Sequence, residues 1–160
     1  MSETVPAPQA LDVFFRPRSI AVVGAGRDPH SMSGRLVRNL LATFPGPIYP
    51  INPRAQTVAS VRSFASLDDL PEPVDLAFVA VPVAAALDAV RGCLRRGVRG
   101  IVMITAGFSE VGGEGGARQE ELATLIRSQG ARLIGPNCLG IVHTDPAAPL
   151  NGTFAEFPPP

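Results

Sequence analysis

Short runs of aliphatic and β-branched residues recur along this chain, each ending at a turn-forming residue and most followed by apolar positions at helical spacing. Ser19-Ile20-Ala21-Val22-Val23 is the first, and its unbroken apolar character predicts a strand covered on both faces, stopping at Gly24-Ala25-Gly26. Leu36, Val37, Leu40, Leu41 and Phe44 then share one helical face, with Ser31 and Ser33 placed as N-caps and Pro45-Gly46-Pro47 as the stop. Ile48-Tyr49-Pro50-Ile51 predicts a second strand ending at Asn52-Pro53-Arg54, and the stretch from Val58 to Phe64 an edge hairpin or strand. Asp75 to Pro82 predicts the next strand, after which Val83, Leu87, Val90 and Leu94 recur at helical spacing until Gly97. Gly100 to Thr105 repeats the theme. A glycine-rich loop follows, then a helix with Glu120 and Glu121 early, Leu122, Leu125 and Ile126 inward, Arg127 late and Gly130 beyond its end. Ala131-Arg132-Leu133-Ile134 is the fifth strand, and Ile141-Val142-His143 reads as a short sixth.

Strands alternating with helices at this spacing pair in parallel through right-handed crossovers. The expected architecture is therefore α/β, a Rossmann-like doubly wound parallel sheet in a single domain. Ligands of such sheets bind beyond the carboxyl ends of the strands. The loops at 24–29, 52–54, 81–83, 105–110 and 135–140 all follow strands, so they are expected to gather on one edge. Residues 1–10 are expected to form a disordered N-terminal tail, 11–147 the domain, and 148–160 a linker toward a missing following domain.

Composition narrows the chemistry. A chain of 160 residues suits one domain and one core. No apolar run approaches the roughly 18 residues a membrane span needs, and the first residues carry no secretory pattern, so the expectation is a cytoplasmic protein with no membrane partner. Fourteen acidic residues balance fourteen basic ones, leaving no net field to recruit nucleic acid. All the basic residues are arginine, and the absence of lysine excludes Schiff-base chemistry and a Walker A loop. Cys93 and Cys138 lie far apart with no C-x-x-C spacing, and His30 and His143 are scattered, so neither a disulfide nor a metal site is expected.

The glycine turn points to a nucleotide-type ligand, but the dinucleotide fingerprint is broken. Gly24 and Gly26 are followed by Pro29 where a third glycine belongs, and Gly34 comes late. An NAD site also places a carboxylate at the end of the second strand. Here that place holds Asn52-Pro53-Arg54, and a guanidinium there favours a phosphorylated ribose, a condition met by both NADP and coenzyme A.

Five ordered motifs then carry a family resemblance over nearly the whole chain from Leu11 onward. The runs are Leu11 to Ala25, Tyr49-Pro50-Ile51-Asn52-Pro53, Val79-Ala80-Val81-Pro82, Ile104-Thr105-Ala106-Gly107-Phe108-Ser109-Glu110 and Gly135-Pro136-Asn137-Cys138-Leu139-Gly140. Together they resemble the N-terminal CoA-binding domain of NDP-forming acyl-CoA synthetases, which is similar to the succinyl-CoA synthetase α subunit and also occurs in synthetase-like halves of protein acetyltransferases. The resemblance implies that coenzyme A lies against Gly24, Ala25, Gly26, Arg27, Asp28 and Pro29, with Asn52, Pro53 and Arg54 beside its phosphates. It implies a wall at Val81 and Pro82, backbone contacts from Thr105, Ala106 and Gly107, and Asn137 and Cys138 near the reactive end. Gly26 and Arg27-Asp28 depart from the family's hydroxyl-bearing pattern and leave phosphate contacts to backbone amides. Cys138 is read as a packed side chain rather than a nucleophile, and Glu110 as a solvated carboxylate or a cap for the next helix rather than a general base.

The implied partners are CoA or acyl-CoA together with following synthetase domains or a partner subunit. The phosphohistidine of the family belongs to a later domain, so the chain is expected to bind without catalysing, and no catalytic residue is assigned. The alternative reading is an NADP-binding Rossmann oxidoreductase or redox-sensing module. A regulatory or scaffold module with an empty cleft is the third.

Overall fold

The computed structural model describes residues 7–156, with side chains from residue 11. In chain order the main elements are α1 (Ala7–Phe15), β1 (Ile20–Val23), α2 (Met32–Thr43), β2 (Ile48–Ile51), β3 (Thr57–Val58), β4 (Val61–Arg62), β5 (Leu76–Val79), α3 (Val83–Arg95), β6 (Gly100–Met103), α4 (Glu114–Ser128), β7 (Arg132–Ile134), β8 (Gly140–His143) and β9 (Leu150–Thr153). Five strands form one sheet in the order β2-β1-β5-β6-β7, and every pairing in it is parallel. The order reverses direction between β1 and β5, which is the switch point of a doubly wound sheet.

Strand residues alternate between two cores, as the period of two requires. Ile20, Val22, Leu76, Phe78 and Val102 face one side, where Phe14 of α1, Leu36, Val37 and Leu40 of α2, Ile141 of β8 and Leu150 of β9 close over them. Ala21, Val23, Ala77, Val79, Ile101 and Met103 face the other, beneath Val90 and Cys93 of α3 and Leu122 and Ile126 of α4. Both faces of the sheet are covered, which is why its strands read as continuous apolar runs.

The helix boundaries follow local chemistry. Ser31 caps α2, its Oγ accepting from the Gly34 amide at 3.1 Å. α3 and α4 end in the same way: Gly97 and Gly130 take left-handed φ angles of 74° and 66°. The amides of Gly97 and Val98 donate to Leu94 and Cys93, and those of Gly130 and Ala131 to Arg127 and Ile126, two Schellman closures. Arg18, bonded twice through its guanidinium to Asp75, ties the start of β1 to the start of β5.

Several expectations need correction. Residues 7–10 belong to α1 rather than to a tail, and residues 1–6 lie outside the described residues. The segment from 148 is not a linker as far as it is described: β9 pairs antiparallel with β8, and Leu150 and Thr153 are buried. Ile141-Val142-His143 therefore does not extend the main sheet but forms a hairpin beneath which α2 packs. Helix α4 starts at Glu114, six residues before Glu120, because Gly115 lets its first turn lie against the Phe108 carbonyl, where a Cβ would come within 1.9 Å. The hairpin expected around Val58 to Phe64 is present, with strands of two residues each, and Phe64 beyond it bonds to Pro50 and Asn52, shielding the β2 edge.

Candidate functional site

The carboxyl ends of β1, β2 and β5 open into a cleft of about 670 Å3 at the switch point. Its floor is the turn after β1. The Gly24 and Ala25 amides donate to the Ile51 carbonyl, and the Asn52 side chain donates to the Ala25 carbonyl at 2.8 Å, so the loop is stapled to the end of β2. The other end of the Asn52 amide accepts from the Arg54 backbone at 2.8 Å. Asn52 is therefore spent on shaping the site. Arg54 extends from that turn into the cleft, exposed, with no carboxylate partner among the described residues.

Gly24 is required by proximity as well as by its φ of 87°: a Cβ there would lie 2.5 Å from the Ala80 carbonyl and 2.8 Å from Val81. The late Gly34 now has a reason. A Cβ on it would come within 1.9 Å of the Asp28 carbonyl, so α2 rests directly on the loop, the close helix contact that the third glycine of a dinucleotide turn provides. The loop is simply five residues longer than the fingerprint allows, and Asp28 folds the extra length, its carboxylate accepting from His30 and its carbonyl from Ser31. Among the described residues the amides of Gly26 and Arg27 donate to no protein group. They lie before the amino end of α2, where the helix dipole favours an anion.

Val81 and Pro82 form the wall opposite the glycine turn, and α3 continues it with Ala85, Ala89 and Gly92, three small residues on one helical face. Asp68 and Arg95, 3.9 Å apart, sit at the outer rim. This α3 wall was not foreseen, although its Ala-x3-Ala-x2-Gly spacing is present in the sequence as a run of small residues where a helix would otherwise carry bulk.

The remaining expected site residues are arranged differently. Asp28 stays in the turn outside the cleft, and Arg27 and Pro29 line a separate cavity on the other side of the loop. Thr105, Ala106, Gly107, Asn137 and Cys138 cluster at the ends of β6 and β7, one strand further along the edge, and do not line the cleft. Thr105 is buried and donates from its hydroxyl to the Val81 carbonyl at 2.7 Å, while the Asn137 amide donates to the Thr105 carbonyl at 3.0 Å. These residues brace the Val81-Pro82 wall from behind. The Cys138 thiol donates to the Met103 carbonyl at 3.3 Å, and burial pushes its titration upward, so it is packed rather than activated. Glu110 accepts from the Gly107 and Phe108 amides, which hold its carboxyl below the ordinary range; it closes the loop and is unsuited to accepting a proton. Among the described residues no cluster of three or more metal-ligating side chains is present.

A parallel sheet with a glycine turn at its switch point and unpartnered amides ahead of the following helix defines a nucleotide-binding domain of Rossmann type. More narrowly, the chain belongs to the CoA binding domain family, which it matches over residues 18–144, and coenzyme A is its ligand. It is 42% identical to the α subunit of an ADP-forming acetate–CoA ligase of Pyrococcus furiosus, over 90% of this chain and 31% of that protein. With an ADP-forming 4-hydroxybutyrate–CoA ligase of Nitrosopumilus maritimus it shares 32% identity, over 91% of this chain and 21% of the relative. A solved acetyl-coenzyme A synthetase of Candidatus Korarchaeum cryptofilum, in complex with phosphate and ADP, superposes with a TM-score of 0.84 at 38% identity, covering 91% of this chain and 31% of that one. The chain thus spans about a third or less of the length of the relatives it matches. No helix among the described residues is long and apolar enough to cross a membrane.

Proposed function

We propose that this chain is the CoA-holding part of an ADP-forming acyl-CoA ligase, working with following domains or a partner subunit that carry the phosphate relay. Coenzyme A supplies the thiol that bears the acyl group. The residues that would hold it are divided by chemistry. The Gly26 and Arg27 amides suit the diphosphate, Arg54 suits the ribose 3′-phosphate, and Val81, Pro82 and the small face of α3 form the apolar wall. Asn52 and Thr105 act on the ligand indirectly, one by fixing the glycine turn and the other by fixing the Val81-Pro82 wall.

The observation that carries this reading is Arg54, without a carboxylate partner among the described residues, in the same cleft as the unpartnered Gly26 amide, above a turn where Gly24 packs too closely on Ala80 and Val81 to admit a Cβ. Titration calorimetry with CoA, dephospho-CoA and NADPH tests it. CoA is expected to bind at least tenfold more tightly than dephospho-CoA, with Arg54→Ala abolishing that difference, since a charge-assisted phosphate contact contributes about 1.5–3 kcal/mol. Equal affinity for the two forms, or tighter binding of NADPH, would remove the assignment of Arg54.

A further inference from the structure

A second cavity, of about 790 Å3, opens on the far side of the glycine loop and shares only Gly26 with the first. Its floor is the outward face of α2, where Arg35, Arg38, Leu41 and Ala42 follow at helical spacings of three and four. Arg27 stands at the loop end. The facing wall is the tip of the β3–β4 hairpin, where Ala59 and Ser60 hold left-handed φ angles of 48° and 66° without being glycine. They are the two central residues of a hairpin loop that closes the Val58–Val61 pair, and such two-residue loops require positive φ at both positions, so this wall is a defined turn.

The end wall is also built. Asn39 donates to the carbonyls of Thr153 and Ala155, at 2.8 and 3.0 Å, and thereby holds the segment that brings Glu156 to within 3.2 Å of Arg35. One carboxylate thus faces three guanidinium groups in a chain that carries no net charge. Arg27 and Arg38 have no carboxylate partner among the described residues. Concave walls concentrate such a surplus. Along the floor the character changes from guanidinium to alkyl over about 10 Å, since each helical residue advances roughly 1.5 Å. An inorganic anion would use only one end of that gradient.

We propose that this cavity binds a nucleotide, with Arg27 and Arg38 engaging its phosphate oxygens and Leu41 and Ala42 lying under its base. The site is distinct from the one at Arg54 and stands whether or not Arg54 reads the 3′-phosphate. The same chemistry is carried by a free nucleoside diphosphate and by the nucleotide end of CoA, and experiment separates the two.

The test is titration calorimetry of the 160-residue chain with ADP, alone and after saturation with CoA, repeated at raised ionic strength. ADP is expected to bind, to weaken with salt, and to lose about tenfold in affinity in Arg27→Ala and in Arg38→Ala, with the melting temperature of the unliganded chain unchanged. Undiminished ADP binding in the presence of CoA identifies a free nucleotide as the occupant. Displacement by CoA, with CoA itself weakened by Arg38→Ala, identifies the nucleotide end of CoA. The proposal is overturned if ADP does not bind at low salt, or if its binding is lost in Arg54→Ala and indifferent to Arg38→Ala. A chain that binds ADP in this pattern but not CoA would refute the CoA assignment and leave this cavity standing.

Discussion

Replacing Gly34 by alanine sets two opposed effects against each other. Alanine in a helix is favoured over glycine by about 0.8–1.0 kcal/mol, somewhat less in a first turn. Gly116 supplies the reference: it lies in α4 with open space where its Cβ would be, so Gly116→Ala should realise most of that gain and raise the melting temperature by about 2–4 °C. At Gly34 the new Cβ would be 1.9 Å from the Asp28 carbonyl, about 1 Å closer than such atoms approach, and the obstacle is backbone rather than a side chain that can swing away. Relieving it requires the loop from Gly26 to Ser31 to move off α2, and overpacking of this kind costs about 1–3 kcal/mol. The net expectation is a loss of up to about 2 kcal/mol, seen as a lowered melting temperature. A displacement of that size also misplaces the Gly26 and Arg27 amides, so CoA affinity in calorimetry should fall by at least about tenfold. Gly116→Ala should leave it untouched. If Gly34→Ala melts higher than the parent and binds CoA equally well, the direct support of the loop by α2 is wrong.

Asn39→Ala removes two hydrogen bonds to the segment after β9 and should destabilise the chain by about 1–3 kcal/mol while exposing that segment to limited proteolysis, read by mass spectrometry of the earliest cleavage. The bonds and charge of Arg18 hold Asp75 below the ordinary carboxyl range. Its contribution to stability is therefore complete above that range and lost as pH falls through and below it, so thermal melts from neutral to about pH 3 should decline less steeply in Asp75→Asn, and parallel curves would contradict this. Burial pushes the Cys93 thiol to about 12, so a thiol reagent on the folded chain should label the half-buried Cys138 slowly and Cys93 only after unfolding.

Much of the fold was legible because its signals are local. Apolar runs that end at Gly24, Asn52 and Pro82 mark strands, Ser31 marks a helix start, and Gly97 and Gly130 mark helix ends, each acting within a few residues of itself. The ligand class was legible for a related reason: the turns after strands are constrained by what the backbone must approach, and an arginine, Arg54, stands where an NAD site carries an acid. Misreadings arose where a residue's task is set by distant chain. Nothing near Gly34 says that it supports the Asp28 carbonyl across a lengthened loop, and nothing near Gly115 says that α4 begins there against Phe108.

By itself, then, the sequence determined a parallel α/β domain with a glycine turn after its first strand, because hydrophobic period and capping chemistry are written in adjacent residues. Only the tertiary structure decided which of the five strand-end loops share a cleft. Sheet order puts the ends of β2, β1 and β5 around one opening and sets those of β6 and β7 behind it, so Thr105 and Asn137 brace a wall while α3 supplies one. The fate of the last described residues was likewise decided at long range. β9 pairs with β8 and packs on α2, and with Asn39 it closes a second, arginine-lined cavity that no motif announces. Pairing partners far apart in sequence leave no local periodicity to read, and the free energy that selects them comes from burying Leu150 and Ile141 against a face already built by other elements.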